Sequence, residues 1–475
     1  MKLLNRLIGI LKNQTFKAGA WYTFSNILNK AVGFISMPLF TKFMTPDEFG
    51  VINTYLSWVT VISIFIGLFL YQSVVVAFKD FTNDINKYLS SVLTLSFISF
   101  IFIGSLIYGS VIFFNIDVPH YIVLFAIVES YAEFIIAFYL QKLIMKNQYK
   151  LYAFISSTFS IFIVILSLVL MFTFFKNNKP MARIFSAFLV ETIVGIILGT
   201  VILLRGKKFI NLKYWKYSLR YSVPLIIHGS AAYILSQSDR LMLSAILKGN
   251  DGLFQTGIYS VVYNFGMLAQ VVSTAIINVW VPFFTNSLMK NKINLIDKKA
   301  KIFTEVFSFI TIGLLLSGPE VMRFMVRNKD YWSGTNMLVP ITASAFAMFL
   351  YSFFTTTEGY YKKTFIMSIN TVIAAFINVV LNLLFIPKYG AIAAAYSTLV
   401  AYIVSAVIHY FMSRRCNKEF LSIKNFLKPI LIVSFVSILT IIANDCWQIR
   451  WLVLLIIIVF YVKYILKNFN IIAKE

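Results

Sequence analysis

ARIFSAFLVETIVGIILGTVILL (residues 182–204) runs straight into RGKKFINLKYWK (residues 205–216). The first run is almost wholly apolar. At about 1.5 Å of rise per helical residue it is long enough to cross a hydrocarbon layer about 30 Å thick. The second carries Arg205, Lys207, Lys208, Lys213 and Lys216. An apolar run that ends in a basic loop is the mark of a membrane span held at the cytoplasmic face. The pattern repeats in both directions. Apolar segments lie near 20–40, 51–76, 89–114, 121–141, 151–175 and 182–204, then near 219–246, 256–284, 303–325, 336–357, 364–386, 390–413, 426–444 and 450–467. The expected fold class is an all-α polytopic membrane protein with about 14 transmembrane helices.

Composition agrees. Of 475 residues, 59% are hydrophobic and 13% charged, against roughly 25% charged in a soluble domain. The net charge of +24 does not point to nucleic acid, because the Lys and Arg residues sit in short clusters between apolar runs. With a cytoplasmic N-terminus, the even-numbered loops and both tails hold about 29 of the 42 basic residues and the odd-numbered loops about 10. That asymmetry places both termini in the cytoplasm, the expected orientation of a bacterial cytoplasmic (inner) membrane protein. Residues 1–20 read as a cytoplasmic lead-in, without the compact apolar core of a cleaved signal peptide. Loops reach about a dozen residues, too few for an extramembrane catalytic domain. Cys416 and Cys446 fit no metal or redox spacing. Walker, HExxH and GxSxG motifs are missing from plausible settings, and no cofactor is expected.

The segments carry a weak internal repeat. Phe49-Gly50-Val51-Ile52 opens the second segment and Gly257-Ile258-Tyr259-Ser260 the eighth. Asn147-Gln148-Tyr149-Lys150 precedes the fifth, and Tyr361-Lys362-Lys363-Thr364 the eleventh. Matching elements six helices apart keep one orientation, which predicts two pseudo-symmetric six-helix lobes related by an axis along the membrane normal. The lobes would span 1–217 and 218–415, with an extra helix pair at 416–475.

Charges inside a bilayer need a partner, a wet cavity or a purpose. In the first segment Asn26, Asn29 and Lys30 form a polar stripe with Ser25, and Gly33 lies close by. The seventh carries His228, Ser236, Gln237, Ser238, Asp239 and Arg240. Together these residues can line a cationic cavity, with Lys30, Arg240, Asn26, His228 and Asp239 as substrate-binding candidates. The alternative for Asp239–Arg240 is a conformational lock, and for His228 a packing role. Glu129 and Glu133 sit one turn apart in the fourth segment, and Glu191 lies in the sixth. They are candidates for a coupling proton or cation, with Lys30 as a basic neighbour; otherwise the pair is satisfied by hydroxyls such as those of Ser130 and Tyr131. Glu358 and Arg323 fall near segment ends, where they can snorkel to the interface. Pro224, in the first turns of the seventh segment, is a hinge candidate or a packing kink. Pro282 and Pro340 read as structural.

Three stretches resemble a known family. Lys42-Phe43-Met44-Thr45-Pro46-Asp47-Glu48-Phe49-Gly50 is similar to the first-loop signature R-x-L-x-P-x-E-Y-G of bacterial polysaccharide flippases. Tyr221-Ser222-Val223-Pro224-Leu225-Ile226, Ser238-Asp239-Arg240 and Thr256-Gly257-Ile258-Tyr259-Ser260 resemble their central signature. Asn378 to Gly390 resembles N-x-x-L-N-x-x-L-I-P-x-Y-G, with Phe385 in place of Leu. The resemblance runs from the first segment to the twelfth. It implies a polysaccharide-branch member of the multidrug/oligosaccharidyl-lipid/polysaccharide exporter superfamily, of O-antigen or capsule repeat-unit type. Such proteins turn undecaprenyl-pyrophosphate-linked oligosaccharides between leaflets by alternating access. Their cationic cavity suits a pyrophosphate, a role that falls here to Lys30 and Arg240. A polysaccharide polymerase and a chain-length regulator would be further partners, along with membrane lipid. Two other readings stay open: a cation-coupled multidrug exporter of the same superfamily, favoured by Glu129, Glu133 and Asp239, and a membrane polymerase or ligase. The latter usually needs the external loop this chain lacks.

Overall fold

A computed structural model describes residues 14–473 except 248 and 445, and the side chains of these residues except 14–20, 227–228 and 462–473. Each apolar segment falls on helix. In chain order these are α1 (Gln14–Phe43), α2 (Pro46–Gly67), α3 (Ser73–Asp80), α4 (Ile85–Phe113), α5 (His120–Met145), α6 (Tyr149–Phe172), α7 (Lys179–Gly206) and α8 (Leu212–Ile246). They continue as α9 (Asn250–Gly266), α10 (Ala269–Met289), α11 (Ile293–Met325), α12 (Leu338–Tyr360), α13 (Thr364–Tyr389), α14 (Ala391–Cys416), α15 (Lys424–Ile442) and α16 (Trp447–Ala473). Eleven helices among the described residues are long and apolar enough to cross a membrane. The long helices α1 and α8 fall outside that set because they carry the polar stripes.

Two segments expected to be continuous are broken, and they are the repeat-matched second and eighth. After α2, Leu68 and Phe69 take left-handed backbone angles before a short 3-10 turn at Leu70–Gln72 leads into α3. The chain breaks there against Phe134, whose ring leaves no room for a Cβ on Gly67. The eighth segment divides at Met267–Leu268, just after Gly266, which packs against Ile341 and Thr342.

Local chemistry explains the starts and stops. Thr45-Pro46-Asp47-Glu48 is a capping box: the Glu48 carboxylate accepts from the Thr45 N–H at 3.1 Å, and Pro46 opens α2. Gly390, at φ 59° and ψ −140°, turns α13 into α14 in a conformation open to glycine. The Ala391 N–H just beyond it donates to Gln255 Oε1 at 2.7 Å.

The chain forms two compact units. Unit 1 comprises Met1–Ser36 and Val51–Gln237, and unit 2 comprises Met37–Gly50 and Ser238–Glu475. Their boundaries pass through α1, α2 and α8. The core of unit 1 is built on Leu70, Tyr88, Phe138 and Leu143. That of unit 2 is built on Trp280, Phe307, Phe349 and Phe353, and it includes Phe426, Val433, Val436 and Leu454 from the last two helices. The C-terminal pair is thus part of the second core.

Candidate functional site

Helix α1 has two unlike sides in unit 1. Ser25 is buried and its hydroxyl lies 2.6 Å from that of Ser156 and 3.2 Å from that of Ser157, both on α6. Asn26, Lys30 and Gly33, at i, i+4 and i+7, are exposed on one stripe. Gly33 has nothing within 4 Å of where a Cβ would lie. Lys30 forms no ion pair among the described residues. On α8, Gln237 Oε1 accepts from the Ser57 hydroxyl of α2 at 3.2 Å. Pro224 is exposed and stands twelve residues beyond Leu212, so it lies in the body of a longer helix and not in its first turns. Lacking an N–H, it leaves the Arg220 carbonyl without its helical donor. The side chain of His228 lies outside the described residues.

Unit 1 also gathers its acidic residues. Glu129 is buried and accepts from the Tyr55 hydroxyl of α2 at 2.5 Å. Arg183 of α7 lies in electrostatic reach of Glu129 and Glu191, and Glu191 in turn senses Glu129 and Glu133. Three carboxylates and one guanidinium therefore share a patch between α2, α5 and α7. The basic neighbour is Arg183 and not the expected Lys30. Nor do the expected hydroxyls serve the pair: Ser130 donates to the carbonyls of Val59 and Ala126, and Tyr131 faces Ser96. Glu133 Oε2 is buried without a hydrogen-bond partner, and the residue lines a cavity of about 240 Å³ with Ser63, Tyr71, Gln141, Tyr152 and Tyr233. Arg183 and Tyr55 escaped the sequence reading. The available signal for Arg183 was its place two turns before Glu191, on a neighbouring face of one helix.

Unit 2 treats its charges in the opposite way. Asp239 is 1% exposed and accepts four hydrogen bonds. The donors are the Tyr259 hydroxyl of α9, Asn382 Nδ2 at 2.6 Å and Asn378 Nδ2 at 3.3 Å on α13, and the Thr398 hydroxyl of α14 at 2.5 Å. Ser238 donates to Asn378 Oδ1 at 2.8 Å. Arg240 is also buried, with Nε donating to the Ser260 hydroxyl at 3.1 Å and the guanidinium 4.5 Å from the Tyr263 ring centre. Three motifs that are far apart in sequence, S-D-R, G-I-Y-S and N-x-x-L-N, meet in this one knot. Glu358, expected to snorkel, is instead fully buried, with His409 Nδ1 3.0 Å from both of its oxygens. Sequence reading missed this pair because the partners sit 51 residues apart. Arg450, at the start of α16, is likewise buried and pairs with Glu320 of α11.

Comparison with known proteins is consistent with this architecture. Residues 16–288 match the family described as polysaccharide biosynthesis protein. The chain is similar to the capsular polysaccharide biosynthesis protein CapF of Staphylococcus aureus, with 23% identity over 414 residues covering 82% of this chain and 97% of that protein. Among solved structures, the lipid II flippase MurJ in an inward closed conformation superposes with a TM-score of 0.69 at 17% identity, covering 95% of this chain and 99% of that one. An inward-facing multidrug resistance MATE family transporter gives 0.55 at 13% identity, covering 83% and 95%. The chain belongs to the polysaccharide biosynthesis protein family.

Proposed function

We propose that the protein is a flippase that carries undecaprenyl-pyrophosphate-linked oligosaccharide repeat units across the cytoplasmic membrane by alternating access, for surface polysaccharide biosynthesis. Both termini are cytoplasmic in this reading. The repeat-related lobes are 1–217 and 218–415, with 416–475 as an added pair. The observation that carries the proposal is the exposed Asn26–Lys30–Gly33 stripe of α1, in a chain of the polysaccharide biosynthesis family. A cation kept at membrane depth without an ion pair is costly unless it meets water or an anionic cargo, and a pyrophosphate supplies that anion. Arg240 and Asp239 complete the substrate-site assignment only if the unit 2 knot opens during transport; in their present surroundings the lock reading is the better supported. Glu129, Glu133 and Glu191 are assigned to coupling, because Glu129 and Glu191 share the Arg183 guanidinium and Glu133, beside them, borders a cavity. Pro224 is assigned as a hinge in α8.

The test is deletion of the gene in its host, followed by analysis of lipid-linked intermediates and surface glycan. Loss of the surface polymer, with complete undecaprenyl-linked units retained inside, is the expected outcome. Normal glycan with altered sensitivity to cationic drugs would refute the proposal and favour a multidrug exporter. In complementation, Lys30→Ala is expected to lower export at normal expression, and full export would remove Lys30 from the site.

A further inference from the structure

A second polar cavity lies in unit 2, away from the residues discussed so far. It measures about 420 Å³ and is lined by Glu305 of α11, Lys428 and Ile432 of α15, and Ile457, Phe460 and Tyr461 of α16. Glu305 is 3% exposed, and among the described residues neither carboxylate oxygen has a hydrogen-bond partner. Lys428 and Lys301 lie within electrostatic reach, yet the carboxylate receives no donor. Its own backbone carbonyl accepts from Ser308, whose hydroxyl is also 2.7 Å from the Tyr461 hydroxyl. The cavity sits at the basic ends of its helices. Lys298, Lys299 and Lys301 precede Glu305 on α11, and Arg414, Arg415, Lys418 and Lys424 lead up to Lys428. Leu421 N–H, in that lead, donates to Asp297 Oδ1 at 2.6 Å and holds the two basic ends together. Basic ends mark the depth of lipid headgroups.

We propose that this cavity binds the headgroup of an amine-bearing zwitterionic phospholipid. The ammonium donates to Glu305, the phosphate pairs with Lys428, and an acyl chain follows the wall formed by Ile432, Ile457 and Phe460. A buried carboxylate without donors is strongly disfavoured, and a donor arriving from outside the chain would satisfy it. An ammonium supplies three hydrogens. A purely anionic lipid would bring its charge against Glu305, so the cavity should discriminate by headgroup. This inference is independent of what the protein transports.

The experiment is native mass spectrometry of the purified full-length protein with equimolar phosphatidylethanolamine and phosphatidylglycerol. Phosphatidylethanolamine should be retained roughly tenfold over phosphatidylglycerol, the size of one charge-assisted contact. E305Q should bring the two lipids to near parity. I432W, which fills the apolar wall and leaves both charges in place, should lower retention of phosphatidylethanolamine and keeps the test open if E305Q does not fold. Equal retention of both lipids by the unaltered protein, a preference that survives E305Q unchanged, or undiminished retention of phosphatidylethanolamine by I432W would overturn the assignment.

Discussion

Substituting alanine at Gly257 tests the contact at which the first and central sequence motifs meet. A Cβ on Gly257 would fall inside the Pro46 carbonyl group, 2.7 Å from its carbon and 3.0 Å from Gly50 N. A Cβ on Gly50 would meet the Leu253 carbonyl in the same way, 2.7 Å from its carbon. Ordinary contact begins at 3.4 Å, so either methyl requires the openings of α2 and α9 to part by at least about 0.7 Å at the carbonyl carbon. Both obstacles are backbone, so no side-chain rotation relieves them. Overpacking of this kind costs about 1–3 kcal/mol. Gly313, in mid-α11, has nothing within 4 Å of its Cβ position; there alanine should be neutral or stabilising by up to about 1 kcal/mol through helix propensity. The assay is the loss of monodisperse protein on heating in detergent, followed by size-exclusion chromatography. G257A and G50A should each melt several degrees below the unaltered protein, and G313A at or above it. Because one separation of the helices accommodates both methyls, the double variant should lose less than the two single losses added together. A G257A protein as stable as G313A would refute the close-packing argument. Strict additivity would refute the shared crossing.

Three further expectations concern buried charge. D239L strips the acceptor from four buried donors; at about 0.6–1.7 kcal/mol for each hydrogen bond within a membrane, the loss is roughly 2–7 kcal/mol. The same melting assay should show most of the protein aggregated, and near-normal melting would refute a structural role for Asp239. For the Glu358–His409 pair, E358L or H409L alone should cost about 3–5 kcal/mol, whereas joining the two should recover much of the loss; a double variant as unstable as the two losses combined would contradict a self-contained pair. E129Q and E191Q should each lower coupled transport in vesicles at least roughly tenfold while shifting melting by only a few degrees. Retained dependence on the driving ion in both variants would remove the acidic patch from coupling.

The helices were legible because a membrane requires about 20 apolar residues for each span, and that requirement is written continuously along the chain. The breaks were not legible. Met267–Leu268 and Leu68–Phe69 are apolar, and nothing local distinguishes them from helix interior; the break is made by Ile341 and Phe134, which pack against Gly266 and Gly67 from distant helices. The motif residues were visible, but their purpose was not. Asn378 and Asn382 read as part of a family pattern, and only folding shows that both amides point at one carboxylate. Glu358 illustrates the same difficulty. Nearness to a helix end suggested the interface, and His409, one helix further along, determines otherwise.

The two units leave their buried charges in different states, and the difference bears on where coupling resides. Asp239 and Glu358 of unit 2 already have hydrogen-bond partners, so exchanging a ligand at either would cost the bonds it makes. A group that must take up and release a proton or cation during a cycle needs the reverse: a charged form whose solvation is incomplete and can be changed by a small movement. Unit 1 supplies that condition. Glu129 and Glu191 share Arg183, Glu129 has one short bond from Tyr55, and Glu133 leaves an oxygen without a donor among the described residues beside a cavity. Adding one positive charge to that patch relieves repulsion among like charges without breaking a completed network. Where unit 2 does leave a carboxylate without donors, at Glu305, the cavity beside it is walled by Ile432, Ile457 and Phe460. An apolar wall suits a resident lipid better than an exchanging ion. On these grounds we propose that coupling resides in the patch between α2, α5 and α7, and that the knot around Asp239 acts as a lock holding α8 to α9, α13 and α14.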